Sequence, residues 1–214
     1  MSTSRPEGSA RERLLAAASE LFYAEGVHTV GIDRVIERAG VAKASLYSTF
    51  GSKEELVRAY LLARAEARQQ RISQRIARHD NPRDRILAIF DLLGEVVATP
   101  SYRGCAFINA SAEGPRGETK VTQVCADSRA WVRGLFTELA RDLGAADPAE
   151  LGRRLVLLYD GATVAASMDR DPAAAAEARA MAAALLDARA PAEAGRPSPA
   201  PGKRAGRRPA RAAK

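Results

Sequence analysis

The sequence predicts an all-α protein of about nine helices. Of its 214 residues, 45 are alanine, and aromatic residues make up only 5%. Alanine has the highest helix propensity of the common residues. No stretch shows the sustained alternation of apolar and polar residues, enriched in β-branched side chains, that is typical of half-buried strands. With 46% hydrophobic residues, a chain of this length can bury one substantial core or two small ones.

The first helix is marked by a cap at each end. Ser9 and Glu12 form a capping-box pattern, apolar residues follow at helical spacing from Leu14 to Phe22, and Gly26 can end the helix. We therefore expect about four helical turns before this glycine.

Two short helices follow with a three-residue turn between them. Residues 32–39 form the first, Gly40 ends it, and residues 43–49 form the second. This spacing is typical of a helix-turn-helix, although a helical hairpin in any bundle can show it. The side chains expected to set the angle between the helices are Val35, Ile36, Val41 and Leu46.

The remaining helices are marked by caps and prolines. Ser52 and Glu55 form a second capping box, which opens a long helix that Asn81-Pro82 ends. A third start signal lies at Asp147-Pro148, with Glu150 placed to return a bond to the cap. The further predicted helices cover residues 82 to about 98, 106–112 and 121–143, a stretch from 148 whose apolar residues run to 166, and 172 to about 189.

The chain divides into four predicted parts. We expect a flexible N-terminus at 1–8, a helix-turn-helix domain at 9–54 and a second helical domain at 55–190. Residues 191–214 contain five prolines, seven basic residues, one acidic residue and no large apolar side chain, which predicts a disordered basic tail. The tail therefore carries most of the formal net charge of +7.

Several classes of protein are disfavoured. No apolar run reaches the length of about 18 residues that a membrane span needs, and no signal-peptide core follows the N-terminus, so a cytoplasmic protein without membrane contact is expected. Two cysteines cannot build a disulfide framework. His28 and His79 lie far apart, and the common catalytic and metal-binding motifs do not occur, so we predict no enzyme activity, no cofactor and no metal, although distant residues can converge.

The region from Thr29 to Leu61 resembles the DNA-binding domain of the TetR family of transcriptional regulators. The residues that carry the resemblance are Ala39-Gly40-Val41 in the turn, Leu46, Tyr47 and Phe50 in the recognition helix, and Lys53 and Leu56 in the next helix. The resemblance implies a homodimer of about nine helices per subunit. It also implies a small-molecule pocket between the middle helices and double-stranded DNA as the partner.

The resemblance also assigns roles in DNA binding. Tyr47 and Lys53 would hold phosphates, and Gly31 and Asp33 depart from the hydroxyl and basic residues common at their positions. Because the other outward side chains are small, base readout would depend on lysine, thymine methyl contacts and DNA shape. The residues expected to face DNA are Lys43, Ala44, Ser45, Ser48 and Thr49.

Residues 103–113 are similar to a segment that opens the sixth helix in a subset of the family. An effector pocket is expected there, with ordinary core packing as the alternative for every candidate. A buried, inert thiol is favoured for Cys105 over a thiolate that senses oxidants or electrophiles. The candidate pocket residues are Cys105, Phe107, Asn109, Trp131 and Tyr159.

Two further patterns remain open. Small and apolar residues favour dimerisation through 148–189, with packing inside one chain as the alternative; they are Ala162, Ala165, Ala166, Ala178, Ala182, Leu155, Leu158, Leu185 and Leu186. Five arginines of the long helix share one stripe, for which a solvated face is favoured over contact with DNA flanks or an acidic partner. They are Arg64, Arg68, Arg71, Arg75 and Arg78.

Together these patterns favour a homodimeric repressor that a small-molecule effector releases from its operator. A transcriptional activator of the same family is one alternative. A sequence-neutral DNA-associated protein that acts through its basic tail is another.

Overall fold

The computed structural model describes residues 8–114 and 119–188. Over these residues the chain forms nine helices and no strand, which confirms the predicted all-α class. The helices are α1 (Ala10–Glu25), α2 (Ile32–Ala39), α3 (Lys43–Phe50), α4 (Lys53–Ile76), α5 (Pro82–Val97), α6 (Ala106–Glu113), α7 (Lys120–Asp142), α8 (Pro148–Met168) and α9 (Ala173–Asp187). The basic tail and residues 1–7 of the predicted flexible N-terminus lie outside the described ranges.

The capping residues explain where the helices begin. At α1, the Ser9 side chain accepts from the Glu12 backbone N–H while the Glu12 carboxylate accepts from the Ser9 N–H, so the predicted capping box is complete. At α4, the Ser52 hydroxyl accepts from the Glu55 N–H, but the Glu55 carboxylate pairs with Lys120. That ion pair links the start of α4 to the start of α7.

The N-terminal core joins the helix-turn-helix to helices beyond it. Phe22 of α1 packs edge-on against Tyr60 of α4, with ring centroids 5.7 Å apart, and Leu46 of α3 is fully buried. The same core includes Phe107 of α6 and Cys125 of α7. The boundary predicted between residues 54 and 55 falls inside α4, which runs unbroken across it.

The C-terminal core lies between α5, α7, α8 and α9, with the end of α4 against it. Phe90, Phe136 and Tyr159 form a cluster with ring centroids 5.8 to 6.2 Å apart. Among the described residues, no helix is long and apolar enough to cross a membrane.

The small residues predicted for dimerisation belong largely to this C-terminal core, which corrects that part of the prediction. Leu155 and Leu186 are buried within the single chain, beside four of the five alanines. A different set of residues forms the exposed apolar stripe of α8, because helical spacing places them on its opposite face. The buried alanines are Ala162, Ala166, Ala178 and Ala182, and the exposed stripe comprises Leu157, Gly161, Val164 and Met168.

Gly152 allows the close approach of α7 and α8. A Cβ atom built at this position would lie 3.0 Å from the backbone N and Cα atoms of Thr137. Backbone atoms cannot move aside as a flexible side chain can, so a side chain at this position forces the helices apart.

We expect Gly152→Ala to lower the free energy of unfolding by about 1 to 3 kcal/mol, the usual cost of overpacking. Gly134→Ala on α7 is the matched control, because a Cβ atom there meets no heavy atom within 4 Å. The control should be neutral or should stabilise by up to about 1 kcal/mol through helix propensity. Urea unfolding of both variants checks this, and equal stabilities would contradict it.

Candidate DNA interface and effector cavities

The turn between α2 and α3 is closed by a residue in the left-handed conformation. Gly40 has φ 61° and ψ 43°, and its N–H donates to the carbonyls of Ile36 and Glu37. The Val41 N–H also donates to the Ile36 carbonyl, at 3.3 Å. Glycine adopts this conformation without the steric cost that a Cβ atom brings, so the two helices can meet across three residues.

The outer face of α3 is available to a partner. Lys43, Ala44 and Ser48 are exposed, and 46% of Tyr47 is accessible even though its neighbour Leu46 is fully buried. No side chain caps the N-terminus of α3, where Ala42 is the capping residue. Backbone N–H groups at an uncapped helix start attract phosphate oxygens.

The hydroxyl groups of α3 are already engaged with its own backbone. Ser48 Oγ and Thr49 Oγ1 both donate to the Ser45 carbonyl, at 3.2 and 2.6 Å. Ser45 and Thr49 are also half-buried, unlike Ser48. While these bonds persist, the two hydroxyl groups can only accept, so they suit the amino groups of adenine and cytosine.

Lys43 is held by an acidic neighbour on α2. Its Nζ atom lies 3.0 Å from Asp33 Oδ1, and both side chains are largely exposed. The hydrogen bond and the charge of Asp33 raise the pKa of Lys43. A phosphate that binds Lys43 must therefore compete with Asp33 for the same ammonium group.

Lys53 lies at the start of α4, beside the loop that follows α3. The side chain is half-buried, and this burial lowers the pKa of Lys53, while the charge of Glu113 acts in the opposite direction. Lys53 lines a cleft of about 280 Å³ with Val27 and Val121. Its role at phosphate remains a prediction.

The α6 segment comprises residues 103–113, that is, α6 and the three residues that precede it. Hydrogen bonds join this segment to α1 and to the loop that follows α1. The Tyr23 hydroxyl accepts from the Arg103 N–H at 3.0 Å and donates to the Gly104 carbonyl at 3.1 Å. At the other end of α6, the Glu113 carboxylate accepts from the His28 N–H at 2.9 Å. Both ends of this segment are therefore fixed to the helix-turn-helix domain.

Two adjoining cavities lie behind α6. The α4 cavity, of about 520 Å³, is lined on α4 by residues from Ala63 to Arg71. The α7 cavity, of about 490 Å³, is lined on α7 by residues from Thr122 to Val132. The residues common to both linings are Arg68, Cys105, Phe107, Tyr159 and Thr163.

The structure brings together three of the five predicted pocket residues, Cys105, Phe107 and Tyr159. The other two need correction, because their side chains are engaged elsewhere. The Asn109 amide donates to the Arg103 carbonyl at 2.9 Å, and Trp131 packs against the C-terminal core.

The arginine stripe of α4 is not a uniformly solvated face, which corrects the favoured prediction. The Arg64 guanidinium lies 3.8 Å from the Tyr23 ring centroid, and that of Arg68 lies 4.6 Å from the Phe107 ring centroid. Arg68 Nη2 also donates to the Ser128 carbonyl, at 3.0 Å. Helical spacing placed these arginines on one stripe, but it could not show that the stripe borders a cavity.

Cys105 is half-buried and Cys125 is buried, and both are free thiols on the α7 cavity. Burial raises the pKa of the Cys125 thiol to about 11. Cys125 is therefore protonated at neutral pH and is a poor nucleophile.

Two short helices joined by a three-residue turn, packed through buried Val35 and Leu46 and with the outer face of the second helix exposed, define a DNA-binding domain of the helix-turn-helix class. Residues 14–60 match the family model described as bacterial regulatory proteins, tetR family. A solved TetR-family transcriptional regulator from Streptomyces coelicolor is 33% identical, with a TM-score of 0.80, over 84% of this chain and 95% of that one. The chain therefore belongs to the TetR family of transcriptional regulators, which confirms the resemblance and the prediction that it is not an enzyme.

Two relatives show opposite regulatory signs. The transcriptional activator FasR of Mycolicibacterium smegmatis is 31% identical over 65% of this chain and 63% of its own length. The transcriptional repressor NemR of Escherichia coli is 33% identical over 50% of this chain and 55% of its own length. The solved reduced form of NemR superimposes with a TM-score of 0.74 at 25% identity, over 81% of this chain and 94% of that one.

We expect Asp33→Asn to raise the affinity for duplex DNA a few-fold, because it releases Lys43 and removes a negative charge from the interface. Lys43→Met should weaken binding and reduce the slope of log K against log salt by about 1, the change for one phosphate contact. Fluorescence anisotropy with a labelled duplex at several salt concentrations measures both effects.

Asp80→Asn is the control, because it makes the same change of net charge at an exposed residue of the loop between α4 and α5. If Asp33→Asn and Asp80→Asn change affinity equally, the ion pair with Lys43 has no special role.

Proposed function

We propose that this protein is a homodimeric transcriptional repressor that acts in the cytoplasm and leaves its operator when a small molecule fills the cavities behind α6. The observation that carries the proposal is the position of the α6 segment. Its first residues line both cavities, and both of its ends are hydrogen-bonded to the DNA-binding domain.

The route from cavity to DNA follows from these bonds. Phe107 lines both cavities and also belongs to the N-terminal core, so a ligand that displaces it disturbs the packing of the helix-turn-helix. Movement of α6 also pulls on Tyr23 and on the loop at His28. A ligand shifts operator affinity only by its difference in affinity for the two arrangements, so the effector must fit best when α6 has moved.

The proposed dimer uses the exposed faces of α8 and α9. Leu157 and Met168 on α8 are 67% and 78% exposed, and Met181 on α9 is 57% exposed. Large apolar side chains grouped on one face are typical of association surfaces. A two-fold dimer through this face would present two α3 helices to successive major grooves, about 34 Å apart.

Different observations bear on the two alternatives, which are a transcriptional activator and a sequence-neutral DNA-associated protein. The similarity to FasR favours an activator, and the similarity to NemR favours a repressor. The sequence-neutral alternative would depend on the basic tail, because residues 1–60 hold eight basic and eight acidic side chains. Lys43 and Tyr47 on an exposed α3 support specific binding through the folded domain instead.

Selection of duplexes from a random pool tests the proposal. We expect enrichment of a near-palindrome whose half-sites lie about one helical turn apart, and footprinting should show two protected major grooves on one face. A transcription assay with this site upstream of a reporter then gives the sign of regulation. Lower output in the presence of the protein supports repression, and higher output supports the activator.

A chain that ends at residue 190 provides the comparison for the tail. It should select the same site and lose mainly non-specific affinity and salt dependence. Selection of no motif by either chain, or loss of nearly all binding on truncation, would refute the specific regulator.

The double change Leu157→Glu with Met168→Glu should convert the dimer to a monomer, because it places charges in a buried apolar interface. Light scattering after size-exclusion chromatography measures the mass, and operator affinity should fall at the same time. Leu62→Glu is the matched control, because Leu62 is a large apolar residue of α4 that is 43% exposed. A monomeric wild type, or a dimer that survives the double change, would contradict the proposed interface.

A further inference from the structure

The α4 cavity carries positive charge that no acidic side chain balances. Arg64, Arg68 and Arg71 line it, and its lining contains no aspartate or glutamate. We infer that this cavity binds an amphipathic organic anion, with an anionic head beside the arginines and an apolar body against the cavity wall. This inference rests on the proposed effector function and names the chemical class of the ligand.

Among the described residues, Arg64, Arg68 and Arg71 form no ion pair, although other arginines near the two cavities do. Farther along the same helix, Arg75 pairs with Glu95 at 2.6 Å. Across the α7 cavity, Arg129 pairs with Asp160. Within residues 8–114 and 119–188, none of the ion pairs that form involves Arg64, Arg68 or Arg71, so a bound anion is the charge that would complete the site.

The two inner arginines are held in position. Arg64 stacks on Tyr23, and Arg68 stacks on Phe107 while bonding to the Ser128 carbonyl. The Nε atoms of both guanidinium groups are buried and have no hydrogen-bond partner. A cation in partly apolar surroundings attracts an anion more strongly than one in water, and stacking fixes the guanidinium planes before a ligand arrives.

The remaining wall suits an apolar body. Leu93 and Val96 of α5 and Ala63 and Ala67 of α4 line the α4 cavity together with the arginines. Tyr159 lies where the two cavities adjoin. Burial raises the pKa of its hydroxyl, and the positive charges of Arg68 and Arg71 act against this rise, while the charge of Asp160 adds to it.

A pair of fluorescent probes with the same ring system tests this inference. The anion is 8-anilinonaphthalene-1-sulfonate, and N-phenyl-1-naphthylamine lacks the sulfonate. We expect the full-length protein to bind the sulfonate about tenfold more tightly, as a charge-assisted contact implies. Decanoate should displace the bound sulfonate, whereas decylamine and decanamide should not.

Arg71→Met is the informative variant, because Arg71 is exposed to the cavity mouth and its loss removes no hydrogen bond. This substitution should weaken binding of the sulfonate probe several-fold and leave the affinity for the neutral probe unchanged. Arg78→Met is the control, since Arg78 lies beyond the end of α4 and outside the cavity lining. Equal affinity for the two probes, or equal effects of the two substitutions, would overturn the inference.

Operator release is measured separately, so the two proposals fail in different ways. If the anions bind as expected and no anion releases the operator, the effector function fails while the ligand class stands. If the operator is released by neutral or cationic compounds that compete for this cavity, the effector function stands and the anion inference fails.

Discussion

The attachment of the α6 segment to α1 is the constraint on which the rest of the structure depends. Tyr23 holds the residues that precede α6, and Glu113 at its end holds the loop after α1. Gly26 is part of the same constraint, because a Cβ atom there would lie 2.8 Å from the Glu113 carboxylate. The position of the helix-turn-helix domain therefore depends on the position of the α6 segment, which forms part of the cavity wall.

The two hydrophobic cores do not coincide with the predicted helix-turn-helix domain and the predicted second helical domain. The DNA-binding helices share their core with α6 and with Val124 and Cys125 of α7, which lie in the predicted second helical domain. The ion pair between Glu55 and Lys120 adds a second link, which joins the start of α4 to the start of α7. Exposed pairs of this kind contribute little stability, so the coupling depends mainly on buried contacts such as those of Phe107.

The sequence predicted the parts of the fold that depend on local chemistry. Ser9, Gly40 and Pro148 mark helix ends through their own backbone and side-chain preferences, and the structure places ends at these positions. Which neighbour a helix face meets is a tertiary property. For that reason, Arg64 and Arg68 border a cavity rather than solvent, and Trp131 packs against the C-terminal core, which was the alternative for each pocket candidate.

The positions of the charges indicate how a cavity ligand would act on DNA binding. Lys53 and Arg71 are eighteen residues apart on α4, which corresponds to about 27 Å along the helix. Screening at physiological salt reduces interactions between exposed charges beyond about 8 Å. An anion at Arg71 therefore cannot weaken phosphate contacts through its field alone. Under the proposed function its effect would have to reach the DNA through displaced side chains, and the α6 segment is hydrogen-bonded at both ends to the helix-turn-helix domain.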